Sequence, residues 1–349
     1  MCSGKTAVAL SGGVDSAVAA AFLKNKGLDL IGVTITLGYD NSRDIEDAAK
    51  VAQLLDIPHT VVSLEDEFNR LVRKYFIEEY HRGRTPNPCA VCNPVIKFGA
   101  LFNSIKEYGA DRIATGHYAT VTFDTETGRY LLKKGIEAGK DQSYFLARLS
   151  QQALSNITLP VGTYTKSKIR ELAARFSIPV ARKKESQEAC FIINESVSDF
   201  ISRISTRDLT PGRIVDMRGN VLGTHKGIEQ FTIGQRKGLG IAAGVPMYVV
   251  SIDRQTGDVV VGADNDLYHR EFTGSGTNWI CLEQLKKPMH ADVKIRYMHK
   301  PRPARIMPAD NGSVQVVFDT PQRAITPGQL AVMYDRDSVI GSAWIDNVV

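Results

Sequence analysis

The sequence predicts an α/β fold, a doubly wound parallel sheet, followed by two small β-rich modules. Three observations carry this prediction. Over the first 120 residues strand-like and helix-like apolar patterns alternate, as a series of βαβ units requires. The first apolar run ends in a glycine-rich turn, LSGGVDS at 10–16, which opens a helical pattern. After about residue 207 the texture changes to short alternating runs separated by glycine-containing turns, the pattern of hairpins.

In chain order, KTAVAL reads as a buried strand, VDSAVAAAFLKNKG as a helix closed by Gly27, LDLIGVTITL as a second strand and DIEDAAKVAQLLD as an amphipathic helix. HTVVSL is a third strand; helices are expected from about Glu65 to Tyr80 and over 95–108, and DRIATG continues the sheet. GRIVDMRGNVLG and YVVSIDRQTGDVVVG read as hairpins turning at Arg218-Gly219-Asn220 and Thr256-Gly257. The tail from Glu271 to Val349 is a succession of short β-like runs. The expected division is 1–207, 208–268 and 269–349, without internal repeats or low-complexity segments.

At 349 residues and 43% hydrophobic the chain can bury one large core or two to three smaller ones. Its apolar runs, such as AVAAAF at 17–22, are too short for a bilayer, which needs about 20 residues. MCSGKTAVALSGG lacks the layout of a signal peptide, and a cytoplasmic protein with no membrane partner is expected. Five cysteines, Cys2, Cys89, Cys92, Cys190 and Cys281, are an odd and sparse set, unlike a disulfide framework. Free, metal-bound or reactive thiols are the alternatives. The formal charge is +5, unevenly spread. Residues 165–184 hold seven Lys or Arg against Glu171 alone, and residues 286–305 seven against Asp292 alone, so the rest of the chain is acidic. Two basic stretches point to a polyanionic partner, with ordinary solvated faces as the alternative.

A strand, a glycine turn and a helix start expose backbone N–H groups to an anion, and the helix dipole adds to the attraction. Gly4-Lys5-Thr6 is not a Walker loop, because no glycine stands five residues before Gly4. Ser-Gly-Gly-Val-Asp-Ser resembles instead the SGGxDS loop of the PP-loop ATP pyrophosphatases, which grip the pyrophosphate of ATP and transfer AMP to an oxygen of the substrate. With TPNPxxxCN and IKF, ATGHY at 114–118, KDQSYFL at 140–146, CFI at 190–192, TIGQRKGLGI at 232–241 and TPGQ at 326–329, the chain resembles the tRNA-specific 2-thiouridylases. These place sulfur at position 2 of the wobble uridine. The resemblance implies a PP-loop (HUP-like) domain, a small central domain, a C-terminal β-barrel, and tRNA bound across all three.

The C2 carbonyl of uridine is a weak electrophile without a leaving group, and adenylation converts its oxygen into departing AMP. The resemblance implies that Ala9, Leu10, Ser11, Gly12, Gly13, Val14, Asp15 and Ser16 hold the phosphates of ATP and Mg2+, with Asp15 toward the metal, and that Ile35 and Gly116 border the adenosine. For Asp15 a plain helix N-cap is the alternative. Cys190 would carry a persulfide received from a donor such as a cysteine desulfurase or sulfur-relay protein, and Cys92 would complete transfer through a transient disulfide. Thiolates need nearby positive charge or a helix N-terminus. Cys92, just before the helix expected at 95–108, and Cys190, after Arg182, Lys183 and Lys184, are placed accordingly. Buried structural cysteines are the alternative for each.

Many members of the family have Asp where this chain has Cys89. Cys89, Cys92 and Cys190 therefore form a candidate three-cysteine set, and related PP-loop thiolases hold a 4Fe-4S cluster with three cysteines. Zinc, normally four-coordinate in structural sites, and a CxxC redox pair fit less well. Asn87, Pro88 and Cys89 would surround the flipped uridine. His117, Lys140, Asp141, Gln142, Arg296, Tyr297 and Gln329 would contact tRNA. His117 is a base or a packing residue, and TIGQRKGLGI, with Arg236 and Lys237, a mobile loop or a surface turn. A PP-loop synthetase for a small molecule and a non-enzymatic RNA-binding protein are the rival functions.

Overall fold

The runs KTAVAL, LDLIGVTITL, HTVVSL and DRIATG become strands of one parallel sheet in the computed structural model, which describes residues 4–180, 190–193, 195–205, 209–242 and 244–349. Strands β1 (Lys5–Ala9), β2 (Leu30–Thr36), β3 (His59–Ser63), β4 (Ala110–Ala114) and a short edge strand β7 (Ile157–Thr158) lie in the order β3-β2-β1-β4-β7. Val8 pairs with Gly32 on one side and with Ala114 on the other. Strand order reverses at β1, and such a switch point opens a crevice at the carboxyl ends of the flanking strands.

Helices cover both faces, which is why the strands read as unbroken apolar runs. On one face α1 (Val14–Asn25) packs Ala17, Val18 and Ala21 into a cluster with Ile169, Leu172 and Ala173 of the helix Lys166–Arg175 and with Ala48 and Val51 of α2 (Ser42–Leu54). The other face is covered by Phe68, Val72, Phe76, Ile96, Leu101 and Ile105. The last three come from a helix that starts at Pro88, seven residues earlier than its expected start at 95. Asn87 caps it, its Oδ1 accepting from the Ala90 N–H at 3.1 Å, and Pro88 takes the first position, where its missing N–H costs nothing. Pro94 also lacks a donor, and over Asn93–Ala100 the helix widens to i→i+5 bonding, a way to pass a missing rung that recurs at functional sites.

A hairpin of β5 (Ala119–Asp124) and β6 (Arg129–Lys134), unforeseen in the sequence, leaves this sheet and meets the C-terminal one at Lys133 opposite Ser338. The central unit contains the two expected hairpins, β8 (Gly212–Asp216) with β9 (Val221–His225) and β10 (Tyr248–Ile252) with β11 (Val259–Gly262), joined by a parallel β11–β8 pairing. The tail forms β12 (Tyr268–Trp279), β13 (Met289–Lys294), β14 (Arg302–Pro308), β15 (Val314–Arg323), β16 (Leu330–Asp335) and β17 (Ser338–Val348). Their order is β12-β15-β14-β13-β16-β17, and β17 pairs back to β12, so the barrel closes and leaves no open edge. Phe272, Val293, Ile306, Phe318 and Met333 fill it. It is bonded to the first domain. Tyr144 Oη donates to Leu330 O at 2.8 Å, Asn278 Nδ2 to Ala147 O at 2.9 Å and Arg129 Nε to Ile280 O at 2.8 Å. Among the described residues no helix is long and apolar enough to cross a membrane.

Candidate active site

The crevice at the switch point is lined by the loop after β1 and the loop after β4. Gly12 has φ +65°, and a Cβ there would lie 2.5 Å from Asp44 O, so a tight glycine turn is required. Gly13 is the N-cap of α1, and the Ser16 hydroxyl closes the loop on itself, donating to Gly13 O at 3.0 Å and accepting from the Ser11 N–H at 3.2 Å. Ala9 ends β1, while Leu10 and Val14 are buried in the core and offer only backbone to a ligand. Ile35 is half-buried near the end of β2. At Gly116 a Cβ would meet Asp15 C and Ser16 N at 2.6 Å, so the loop after β4 lies directly against the start of α1.

Asp15 is not an N-cap. Its carboxylate receives the Lys166 ammonium on both oxygens at 2.8 Å and the Tyr118 hydroxyl at 2.7 Å. Lys166, whose role the sequence did not disclose, is buried at the first position of its helix, and its backbone N–H donates to Glu137 Oε2 at 2.6 Å. Gln142 brackets Tyr118, accepting from its N–H at 2.9 Å and donating its own backbone N–H to Tyr118 O at 2.8 Å.

Cys89, Cys92 and Cys190 lie near one another. Cys89 occupies the second position of the helix begun by Pro88 and is exposed; Cys92 lies one turn on and is 8% exposed. Cys92 is therefore inside a helix, not before one, and burial pushes its thiol up to about 12, opposed by the nearby Lys97 cation. Protein packed around it raises the Cys89 thiol too, although the residue is exposed, and Lys97 again opposes the rise. Cys190 is exposed and near enough to both for negative charge on it to disfavour theirs, and the Tyr39 hydroxyl hydrogen-bonds it. Arg182, Lys183 and Lys184, expected to favour its thiolate, lie outside the described residues, as does Cys2. Cys281 stands apart, its thiol toward Val339 O at 3.1 Å.

His117 bonds the Thr115 hydroxyl through Nδ1 at 2.8 Å and packs at a tilt on Phe98 at 6.1 Å. Burial, then Lys97, lowers its pKa well below the usual imidazole range, so the ring is neutral at physiological pH. Lys97, half-buried with no ion pair or hydrogen bond among the described residues, is thus the common neighbour of Cys89, Cys92 and His117. The IKF string contains it, but nothing in its spacing announced the role. Asn93, next to Cys92, donates through Nδ2 to Phe145 O at 3.1 Å, while its buried Oδ1 has no partner among the described residues.

Among the described residues no group of three or more His, Cys, Asp or Glu is placed to hold a metal ion by protein ligands alone. The Asp15 carboxylate already accepts three hydrogen bonds, two from the Lys166 ammonium and one from the Tyr118 hydroxyl, so a cation there would meet the charge of Lys166.

Residues expected at tRNA divide into two groups. Pro88 and Cys89 open the cysteine helix, His117 neighbours Lys97, and Tyr297 packs at a tilt on Phe145 with centroids 4.5 Å apart, next to the bond from Asn93. The others serve the scaffold in this structure. Asn87 caps a helix; buried Asp141 accepts from the N–H groups of Gly135 and Ser143, both at 3.0 Å; the half-buried Lys140 bonds Glu137 O through its backbone. Arg296 donates to Arg323 O at 3.0 Å, and Gln329 to Thr85 O. Arg236 and Lys237 are exposed on a loop tied to β10 by Gly234 N–H to Val249 O at 2.8 Å. Two recesses lie apart from the cysteines. One of about 390 Å3 on the barrel is lined by Arg296, His299, Lys300, Arg302 and Arg323, among others; one of about 330 Å3 borders Arg236 and Ile241.

Three family models match consecutive parts of the chain: a tRNA methyl transferase HUP domain over 4–194, a tRNA methyl transferase PRC-barrel domain over 198–263 and an aminomethyltransferase beta-barrel domain over 269–345. The tRNA-specific 2-thiouridylase MnmA of Acetivibrio thermocellus is 44% identical, covering 99% of this chain and 100% of its own. The tRNA-specific 2-thiouridylase MnmA 1 of Caldanaerobacter subterraneus is 46% identical, covering 99% and 98%. Among solved structures, a 4-thiouridine synthetase–RNA complex with bound ATP aligns over 54% of this chain and 45% of that one, at 18% identity and TM-score 0.37.

Proposed function

The chain belongs to the tRNA-specific 2-thiouridylase family, and from that premise we propose that it exchanges the C2 oxygen of the wobble uridine of tRNA for sulfur, using ATP. One observation supports this above others. The loop after β4 joins two chemistries, with Gly116 against the phosphate cradle and the next residue, His117, beside Lys97, whose cation also reaches Cys89 and Cys92.

In the first step the uridine O2 attacks the α-phosphorus of ATP, the bond to the β-phosphate breaks, and pyrophosphate leaves with the electron pair. The N3 proton leaves to solvent or to a base, and His117, whose ring is neutral but made a weak base by burial and Lys97, is the imidazole of the β4 loop. In the second, the outer sulfur of a Cys190 persulfide attacks C2 and AMP departs. Cys92 sulfur then attacks the Cys190 sulfur, forming a Cys92–Cys190 disulfide and leaving the outer sulfur on C2. A dithiol supplies the two electrons that reopen the disulfide. The cation of Lys97 offsets the cost of forming a thiolate at the buried Cys92. The persulfide sulfur comes from a donor protein, and the nucleotide is taken as its magnesium complex.

Incubation with ATP, a persulfide donor and unmodified tRNA, followed by nucleoside mass spectrometry, is expected to give 2-thiouridine with AMP and pyrophosphate. ADP as the stoichiometric product would exclude adenylation. AMP without modified tRNA would favour a small-molecule synthetase, and tRNA binding without nucleotide cleavage an RNA-binding module.

A further inference from the structure

We propose that the outer side of the central unit, from strand β9 to the recess beside Ile241, is the docking surface for a protein sulfur donor that presents an apolar spot ringed by acidic residues. The proposal rests on the sulfur-transfer reading above and assigns the surface through which Cys190 is loaded.

Strand β9 (Val221–His225) is the edge of its sheet, with no strand beyond it among the described residues. Its pairing with β8 slips between Ile214 and Val215, which leaves Leu222 as an extra residue in the ladder. A regular strand turns neighbouring side chains to opposite faces. At a bulge that alternation fails, and Val221 at 54% and Leu222 at 37% are both exposed. The apolar surface continues beyond the strand. A Cβ at Gly223 would lie 3.0 Å from Ile241 Cγ2, and Ile241 lines the recess of about 330 Å3 together with Val245, Pro246 and Met247. Val245 is 64% exposed. Single exposed aliphatic residues need no explanation, but a contiguous set beside a recess marks an interaction site.

Charge and side-chain type define the partner. Arg218 precedes β9, Lys226 follows it, and Arg236 and Lys237 stand at the recess, all four exposed. The acid closest in sequence, Asp216, is held by its own turn, accepting from the Arg218 N–H at 2.8 Å and the Asn220 N–H at 2.9 Å. An apolar centre within a polar rim is the pattern of a protein interface, and the sign of this rim calls for an acidic partner. Unstacked bases bind on aromatic side chains, and no side chain lining the recess is aromatic.

The central unit also adjoins the segment of Cys190. Just beyond β9, in the turn Ile228–Gln230, Glu229 Oε1 lies 2.7 Å from His81 Nδ1, and His81 Nε2 lies 2.8 Å from Ser205 Oγ, at the end of the helix Val197–Ile204. Phe200 of that helix packs on Phe191, the neighbour of the exposed Cys190, with ring centres 5.3 Å apart. A donor seated on the central unit is thus one helix away from the thiol it loads. In the transfer the Cys190 thiolate attacks the outer sulfur of the donor persulfide, the donor S–S bond breaks, and the donor cysteine leaves as a thiolate. One S–S bond replaces another, so no oxidant is needed.

The test supplies the full chain, magnesium-ATP and unmodified tRNA with sulfur from two sources. Glutathione persulfide needs no docking surface; the cysteine desulfurase of the same genome, fed with cysteine, does. The wild type must form 2-thiouridine from glutathione persulfide, and failure there would remove the sulfur-transfer reading itself. Two variants are compared, Val221→Ser with Leu222→Ser and Val245→Ser, and Arg218→Glu with Lys226→Glu. Each is expected to raise the half-saturating desulfurase concentration about tenfold or more. Because these positions are exposed, turnover with glutathione persulfide should stay within about twofold of wild type, with tRNA affinity unchanged. Half-saturation by the desulfurase should rise with salt in the wild type and less so in the charge-reversed variant. A wild type served no better by the desulfurase than by equimolar glutathione persulfide, or unchanged half-saturation in both variants, would overturn the proposal. Weakened tRNA binding, with both sulfur sources failing together, would overturn it too and assign this surface to RNA.

Discussion

Gln329 donates its side-chain amide to two carbonyl oxygens of the cysteine loop, Thr85 at 3.0 Å and Pro86 at 3.1 Å, from more than 240 residues away. Beside it Gly328, with φ +89°, lets the barrel backbone come so close that a Cβ would lie 2.9 Å from Thr85 O, and the Thr85 N–H returns a bond to Pro327 O at 2.9 Å. The barrel therefore sets the approach to Pro88 and the cysteines. Gln329→Ala removes two hydrogen bonds, together worth about 1–2 kcal/mol. Thiolation turnover is expected to fall about tenfold, with a small drop in melting temperature. Gln329→Glu should do no better, since it sets a carboxylate against two carbonyls. Parallel measurement of kcat and melting temperature checks this; unchanged kcat in both variants would mean that the loop holds itself.

Cys92 is expected to be the slow thiol of the resting enzyme. Its pKa is pushed up to about 12 by burial, so below that value it is protonated and its thiolate fraction rises about tenfold per pH unit. Cys190 is exposed. Iodoacetamide labelling of substrate-free protein, read by peptide mass spectrometry between pH 7 and 9, should modify Cys190 first and Cys92 at a rate that climbs with pH. Lys97→Met should slow Cys92 further, because the cation opposing the shift is gone. Equal labelling of Cys92 and Cys190 at pH 7.5 would contradict the buried, reserved thiol.

The parallel sheet is legible in the sequence because βαβ periodicity is local, and the phosphate loop because a glycine turn at a strand end has few other uses. What escapes depends on distance along the chain. The helix start at Pro88 is hidden by Pro94, which reads as a breaker until the widened turn at Asn93–Ala100 is seen to accommodate it. Lys97 gains its role only when the β4 loop brings His117 alongside, and Lys166 only when its helix docks on α1. The cysteines stand out by their pattern, yet their electrostatics do not follow from it. A helix start favours a thiolate and burial opposes one, and burial has the larger effect on Cys92. Asp141 and Asn87 show a related limit. A short polar residue beside a helix start reads equally well as a ligand contact or as a cap, and here both bond the backbone.

The salt dependence of tRNA binding should localise to the cleft on the barrel. Arg296 donates to backbone carbonyls, Lys294 lies over the rings of Tyr144 and Tyr297, and His299 is pushed down to about 4 by burial and by Arg296, so it adds no charge near neutrality. Lys300 and Arg302, on the same rim, are exposed. Changing both to Ala is expected to reduce the slope of log affinity against log salt by roughly 1–2, about 0.7–0.9 for each phosphate no longer neutralised. Filter binding across a salt series measures it. An unaltered slope would place the tRNA backbone elsewhere.

Cys89 separates a sulfur relay from an iron-dependent reaction. It sits, exposed, at the second position of a capped helix, a position where a carboxylate is favoured by about 0.3–1 kcal/mol over an uncharged side chain. Cys89→Asp, which gives the commoner NPDxxCN pattern of the family, is therefore expected to fold as well as the parent. With a persulfide donor it should keep thiolation activity within about threefold of the parent, whereas Cys190→Ser and Cys92→Ser should each abolish it. If instead the three thiolates gather around a cluster, Cys89→Asp should lose iron and activity together, since a carboxylate is a harder, poorer ligand for iron–sulfur centres than a thiolate. Iron and sulfide analysis of anaerobically purified protein, run beside the activity assay, distinguishes the two cases. Full activity from strictly iron-free parent protein fits the relay, and inactive apoprotein restored by iron and sulfide does not. Because Cys92 is required on either route, a fully active Cys92→Ser variant would remove this set of thiols from the reaction altogether.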